Sequence, residues 1–307
     1  MLRFLRLSDG NVGHFNGMGP TLLDQVSTVL AYDDVGGIFA QAIAPHSGYV
    51  RLAGGETVVI ADAGSAPAMN LSDRAHAGCA SFEMSAGHEP VIVNCGAPMD
   101  ETGDWYVVSR STAAHSTLTI EDLSSARLIK AQGLSAGREL FWLAGPSHVQ
   151  HEFAEHDNEI LSVRISHDGY RDRFGYVHRR RLSLRKTGLE FEGHDQLVPA
   201  NSGGGADSAA RFAIRFHLHP RIAANFARNT SAVTLTTPGG QMWRFLAEGA
   251  ELDLEESIFF ADPICLRRSL QIVLKGVCSA ATSVHWKFEK VTQQRPVLLD
   301  GNARRGS

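Results

Sequence analysis

The sequence has no run of 18 uncharged apolar residues, so a membrane-spanning helix is not expected. It has little imbalance of charge: 29 Lys and Arg against 33 Asp and Glu leave a formal net charge of -4 over 307 residues. Without a basic excess the chain has no general means of collecting phosphate backbones, and nucleic acid is not an expected partner. An acidic sugar remains compatible, because a local basic patch can sit on a mildly acidic protein. Cysteine is scarce. Cys79, Cys95, Cys265 and Cys278 form no CxxC pair, which argues against a redox dithiol or a cysteine-rich zinc knuckle. Buried free thiols are expected, with a disulfide left open. The start, Met1-Leu2-Arg3-Phe4-Leu5-Arg6, has no continuous apolar core and does not read as a signal peptide. A soluble protein is expected, cytoplasmic or periplasmic.

Long amphipathic helices alternating with strands are also missing, which argues against a βαβ architecture. One short helix is expected. Leu22, Leu23, Val26, Val29 and Leu30 recur at helical spacing, and Thr21 precedes Asp24 by three in a capping-box pattern. What remains is dominated by alternation with period two. Leu161, Val163 and Ile165 alternate with polar residues, as do Leu182 and Leu184, Phe212, Ile214, Phe216 and Leu218, Val233 and Leu235, and Trp286 and Phe288. Successive strand side chains face opposite ways, so each run gives one dry and one wet face. Gly54-Gly55, Asp168-Gly169, Thr187-Gly188 and Pro238-Gly239-Gly240 punctuate the runs as turns. The expected fold is therefore mainly β, a large antiparallel β-sandwich of two stacked sheets with a short N-terminal helix. Residues 1–34 read as a joining segment carrying that helix, and 35–307 as the sandwich domain.

No GxSxG elbow surrounds Ser111, so a serine hydrolase finds no support. Histidines are better placed. Residues 74–84 read RAHAGCASFEM and lead into a hairpin that reverses at Gly87-His88 and returns through Pro90-Val91-Ile92-Val93-Asn94. That pairing would bring His76 near Asn94, and His115, at the start of a further strand-like run, could join them. Two imidazoles and a third oxygen ligand can hold zinc. A neutral Asn94 makes a weaker third ligand than a carboxylate, and histidines held by backbone hydrogen bonds are the alternative. Tyr170, at the Asp168-Gly169 turn, could donate a proton or cap the sandwich with its ring. In Arg179-Arg180-Arg181 the middle residue points away from its neighbours. With Arg173 and His178 this run could grip an acidic sugar or form a solvated face. Trp105 and Tyr106 sit in an expected loop and could stack on sugar or cover a core edge.

The ordered series HAGCASFE, PVIVNCG, RSTAAHSTLTI, SHDGY, FGYVHRR and FAIRFHLHP resembles the C-terminal β-sandwich half of the heparinase II/III family, from about residue 35 to 290. The resemblance implies a polysaccharide lyase, a carbon–oxygen lyase, or a relative of one, in which an N-terminal helical toroid precedes the sandwich. This chain reads as beginning near the end of that toroid, and the family's catalytic tyrosine and histidine on the toroid have no matching segment. The family's paired histidines fall on Arg74 and His76, and the acidic position that follows falls on Gly78. Its zinc site, a histidine, an aspartate and a later histidine, maps onto His76, Asn94 and His115. The implied chemistry is eliminative cleavage of an acidic, uronate-containing polysaccharide or oligosaccharide. A base removes the proton beside the carboxylate, a cation steadies the enolate, and an acid assists the leaving oxygen. Arg74 would face the uronate carboxylate, unless it is a plain solvated residue. His76 and His115 would position, donate or orient, with Tyr170 as a further proton donor. Inactivity without the toroid is the alternative, leaving a noncatalytic carbohydrate-binding or scaffold half-domain. Its sheet edges would be covered by a helical toroid or a second copy of the chain.

Overall fold

The computed structural model describes residues 1–32, 42–100, 103–131, 140–200, 205–227 and 231–291. Its strands run in chain order as β1 (Tyr49–Gly54), β2 (Thr57–Asp62), β3 (Phe82–Ala86), β4 (Glu89–Val93), β5 (Leu118–Ile120), β6 (Arg127–Lys130) and β7 (Phe141–Ala144). They continue as β8 (Val149–His156), β9 (Ile160–His167), β10 (Tyr176–Arg185), β11 (Glu190–Pro199), β12 (Arg211–Leu218) and β13 (Ala223–Phe226). The last are β14 (Ala232–Thr236), β15 (Met242–Glu248), β16 (Glu251–Phe259), β17 (Arg267–Val277) and β18 (Ser283–Lys290). Three short helices, α1 (Leu23–Ala31), α2 (Gly103–Ser109) and α3 (Arg171–Phe174), complete the described elements together with two 3-10 turns.

Two antiparallel sheets stack as the alternation requires. The first runs β1-β2-β3-β4-β12-β17-β16 with β5 paired to β12, and the second runs β13-β14-β15-β18-β11-β10-β9-β8. Between them lies one core to which Phe82, Phe216, Leu274, Leu182, Phe191, Trp286 and Phe288 contribute. The Trp286 ring stacks on Phe82 at 5.5 Å and meets Phe216 edge-on at 4.8 Å. Gly193, directly across from Trp286, makes room for it: a Cβ there would sit 2.0 Å from the indole. At one end of the sandwich the β10–β11 turn locks onto the β1–β2 turn. Gly188 lies against Gly54 at a positive φ of 72°, and the Thr57 hydroxyl donates to the Gly188 carbonyl.

The N-terminal segment forms a strap over the outer face of the first sheet. Phe4, Leu7 and Phe15 pack against Tyr49, Val58 and Ile60, the alternate residues of β1 and β2 that face away from the main core. The helix expected near residue 22 is present as α1, but its details differ. Its N-cap is Leu22 with no side-chain cap, so the Thr21–Asp24 capping box does not form. Val26 alone is buried, while Leu22, Leu23 and Val29 are exposed. Trp105 and Tyr106 lie in α2 rather than a loop. The expected 34/35 boundary falls outside the described residues.

Candidate functional site

The β3–β4 hairpin, reversing at Gly87, carries Asn94 just past its end, and the segment leading into it carries His76. His115 follows a 3-10 turn at Thr112–Ala114 and precedes β5. The folded chain brings the two histidines together, with His76 Nδ1 3.2 Å from His115 Nε2 and the rings edge to face. Backbone bonds hold the loops in place. The Ala77 N–H donates to the Arg110 carbonyl, the Thr112 hydroxyl to the Ala77 carbonyl, and the Cys95 N–H to the Ala114 carbonyl. His115 Nδ1 bonds the Ser111 carbonyl at 2.7 Å, which leaves Nε2 as the acceptor facing His76. His76 is 5% exposed and His115 1%. Burial lowers the pKa of His115 to about 4, and burial, with its neighbours His115 and Arg110, holds His76 well below the ordinary histidine range. Both rings are therefore neutral at physiological pH.

Gly78, at the family's acidic position, has a direct role in this arrangement. A Cβ there would meet His115 Cδ2 at 2.8 Å, so the imidazole occupies the space a side chain would need. Asn94 stands beside the pair, but its Oδ1 already accepts the Ser116 N–H at 3.0 Å. A zinc ion held by two imidazoles at about 2.0–2.1 Å would set the nitrogens roughly 3.3 Å apart, so the histidine spacing alone suits a metal or a hydrogen bond equally. The third position is filled by a neutral amide. No carboxylate or thiolate completes the set, and the described residues hold no group of three His, Cys, Asp or Glu able to bind an ion. Two neutral imidazoles and an amide oxygen supply no negative charge to a cation.

Arg74 does not join the pair. It is exposed and lines a cleft of about 630 Å³ with Asn16, His46, Tyr49 and His151. Asn16 connects cleft and histidines. Its Oδ1 accepts the His76 N–H at 2.9 Å and its Nδ2 donates to the Tyr49 hydroxyl at 2.7 Å. Asn16 holds φ at 47°, a backbone state asparagine tolerates better than most residues. Tyr170 lies elsewhere, fully buried, with its hydroxyl donating to the Leu118 carbonyl at 2.7 Å. Its place beside a turn leaves it unexposed, because the ring folds back into the core.

A buried polar network lies inside the sandwich and reaches both histidine loops. Asp195 on β11 receives Arg180 through Nε at 2.7 Å and Nη2 at 3.1 Å, His178 Nε2 at 2.6 Å and Trp286 Nε1 at 2.8 Å. Burial alone would raise the Asp195 pKa, but the Arg180 charge and the His178 hydrogen bond outweigh it and hold the carboxyl well below the usual range. Arg180 Nη1 donates to the carbonyls of Ala80 and Ser116, which tethers the two histidine loops to the second sheet. Arg180 does point opposite to Arg179 and Arg181, but His178 is buried with it and cannot grip a ligand at the surface. Asn16, Glu83 and Asp195 escaped the sequence reading. Glu83 is fully buried and accepts the backbone N–H groups of His14 and Asn94, so it ties the N-terminal strap to the hairpin. The signal that could have found it was a carboxylate in the middle of a short strand leading from the His76 segment to Asn94.

The family model described as "Heparinase II/III-like, C-terminal" matches residues 40–287. FtsZ-localized protein C of Caulobacter vibrioides is 33% identical over 300 residues, covering 94% of this chain and 50% of that protein. The chain thus spans about half the length of this curated relative. Heparan sulfate lyase HepC of Pedobacter heparinus aligns with a TM-score of 0.71 at 13% identity, over 95% of this chain and 46% of the lyase. A heparinase III, the BT4657 gene product, aligns at 0.68 and 12% identity, over 94% of this chain and 44% of its own. At such identities the solved structures bear on the fold alone.

Proposed function

The chain belongs to the heparinase II/III-like family through its C-terminal domain, and from that premise we propose that it is a noncatalytic half-domain that binds an acidic, uronate-containing polysaccharide and serves as a scaffold. The observation that carries this reading is the sealed state of the histidine pair. An eliminating base must touch the proton it removes, and His115, 1% exposed and bonded at both ring nitrogens, reaches no substrate. Tyr49, the cleft's phenol, has its pKa pushed far above the ordinary value by burial and the nearby Asp62 charge, which disfavours a phenolate base. Arg74 supports binding, since a guanidinium pairs with a uronate carboxylate through two parallel N–H bonds.

The second reading, eliminative cleavage, draws on the retention of His76 and His115 in mutual contact. One assay separates the two. The purified chain is incubated with uronate polysaccharides, with and without zinc, and the ultraviolet absorbance of unsaturated ends is followed. No rise is expected under either condition. A rise that disappears in His115→Ala would establish the lyase reading instead. The scaffold part draws further on the relative named for localisation with FtsZ. We place the partner, a helical toroid domain or a second copy of the chain, against the sheet edges at β8, β13 and β16, since residues 42–44 already pair with the β1 edge.

A further inference from the structure

The outward side chains of the second sheet line up in rows across its strands. One row reads Glu152, Arg164, Arg181, His194, His285 and Glu248, on β8, β9, β10, β11, β18 and β15. The adjacent row reads Gln150, Ser166, Arg179, Gln196 and Ser283. Neighbouring strands lie about 4.8 Å apart, so these groups form a closely spaced grid. Like charges directly opposite one another destabilise a sheet, and Arg181 faces Arg164. Arg164 is partly offset by Glu152 at 3.3 Å, whereas among the described residues Arg179 and Arg181 make no ion pair. Some cations elsewhere on the outer faces are paired: Lys275 reaches Asp253 and Glu255, and Arg244 reaches Glu289. Arg164, Arg179 and Arg181 therefore gather positive charge on one stretch of this face.

The part of the grid on β8 to β11, from Glu152 to His194 and from Gln150 to Gln196, lines a groove of about 770 Å³. Its far side is a rigid polar surface, because His194 stacks on His285 at 3.8 Å and is fixed by the Ser283 hydroxyl at 2.7 Å. Val149 and His151 of β8 border both this groove and the Arg74 cleft, so the two adjoin at one edge of the sandwich.

We infer that the groove is a second carbohydrate site, for a uronate-bearing oligosaccharide laid across β8 to β11 and continuing toward the Arg74 cleft. The inference rests on the polysaccharide-binding reading above and assigns it a location remote from the histidine pair. Arg179 and Arg181 present planar forks suited to carboxylates. Gln150, Ser166 and Gln196 supply neutral donors and acceptors suited to hydroxyls. A protein partner fits less well. Protein interfaces centre on apolar and aromatic anchors and are depleted of charge at their core, whereas these rows carry charged and neutral polar side chains.

Calorimetric titration of the chain with alginate oligomers, neutral dextran oligomers and poly-glutamate tests this. Alginate binding is expected, with dextran and poly-glutamate weaker. The surface variant Arg179→Ala/Arg181→Ala should weaken alginate binding by roughly tenfold or more, as the loss of charge-assisted hydrogen bonds requires. Lys275→Ala, on the other sheet, should leave it unchanged. Wild-type affinity in the double variant would overturn the location while leaving polysaccharide binding intact. Failure of the wild-type chain to bind alginate would overturn the binding reading itself. Poly-glutamate binding tighter than alginate, and lost in the double variant, would reassign the groove to an acidic protein segment.

Discussion

Asp195 is the residue on which the interior polar groups converge, and it shows where local pattern stops being informative. Alternation alone sends Arg180 inward between two outward arginines. Its partner is set by register, because Arg180 and Asp195 lie directly opposite in the β10–β11 ladder. No local pattern around residue 195 announces that pairing. Asp195→Asn removes the charge facing a buried guanidinium and should cost about 3–5 kcal/mol, read from the shift in urea denaturation midpoint. An unchanged midpoint would show that the network contributes little. Tyr170 and Asn16 fall under the same limit. A turn position says nothing about a ring that folds back to the Leu118 carbonyl, and an asparagine near the N-terminus says nothing about the His76 N–H it meets 60 positions later.

Elements were legible in proportion to how much of their signal is local. The β3–β4 hairpin follows from apolar runs around Gly87, and α1 follows from helical spacing even though its cap does not form. Helix α2 was not legible. It is one short stretch of aromatic and β-branched residues, held by contacts such as the Tyr106 hydroxyl donating to the Asp73 carbonyl. The N-terminal strap is the element on which the cleft most depends, since Phe15 packs edge-on against Tyr49 at 5.2 Å, next to Asn16. Phe15→Ala should destabilise the domain by about 3–5 kcal/mol, the usual cost of emptying an aromatic site. Hydrogen exchange should accelerate first at β1, β2 and the His76 amide while β10 and β11 stay protected. Uniform acceleration would mean that the strap is not a separate unit.

At the scale of the whole molecule, the two-sheet frame converts histidines into neutral interior groups. Burial is the leading cause of the lowered pKa values of His76, His115, His167, His178 and His217. The unfolded chain takes up these protons near the ordinary value of about 6.5, whereas the folded chain resists them. Their contribution to stability is therefore complete above that value and is lost as pH falls toward the folded values, by up to about 1.4 kcal/mol per pH unit for each ring. The same property separates a structural histidine pair from a catalytic one, which needs a ring open to substrate and able to exchange protons near working pH. An NMR titration of the imidazole signals, with and without alginate oligomers, tests this most directly. His76 and His115 should remain neutral as pH falls past 6.5, with His115 protonating near about 4, and neither signal should move when the sugar is added. A ring that titrates at the ordinary histidine value and shifts with bound oligosaccharide would contradict it.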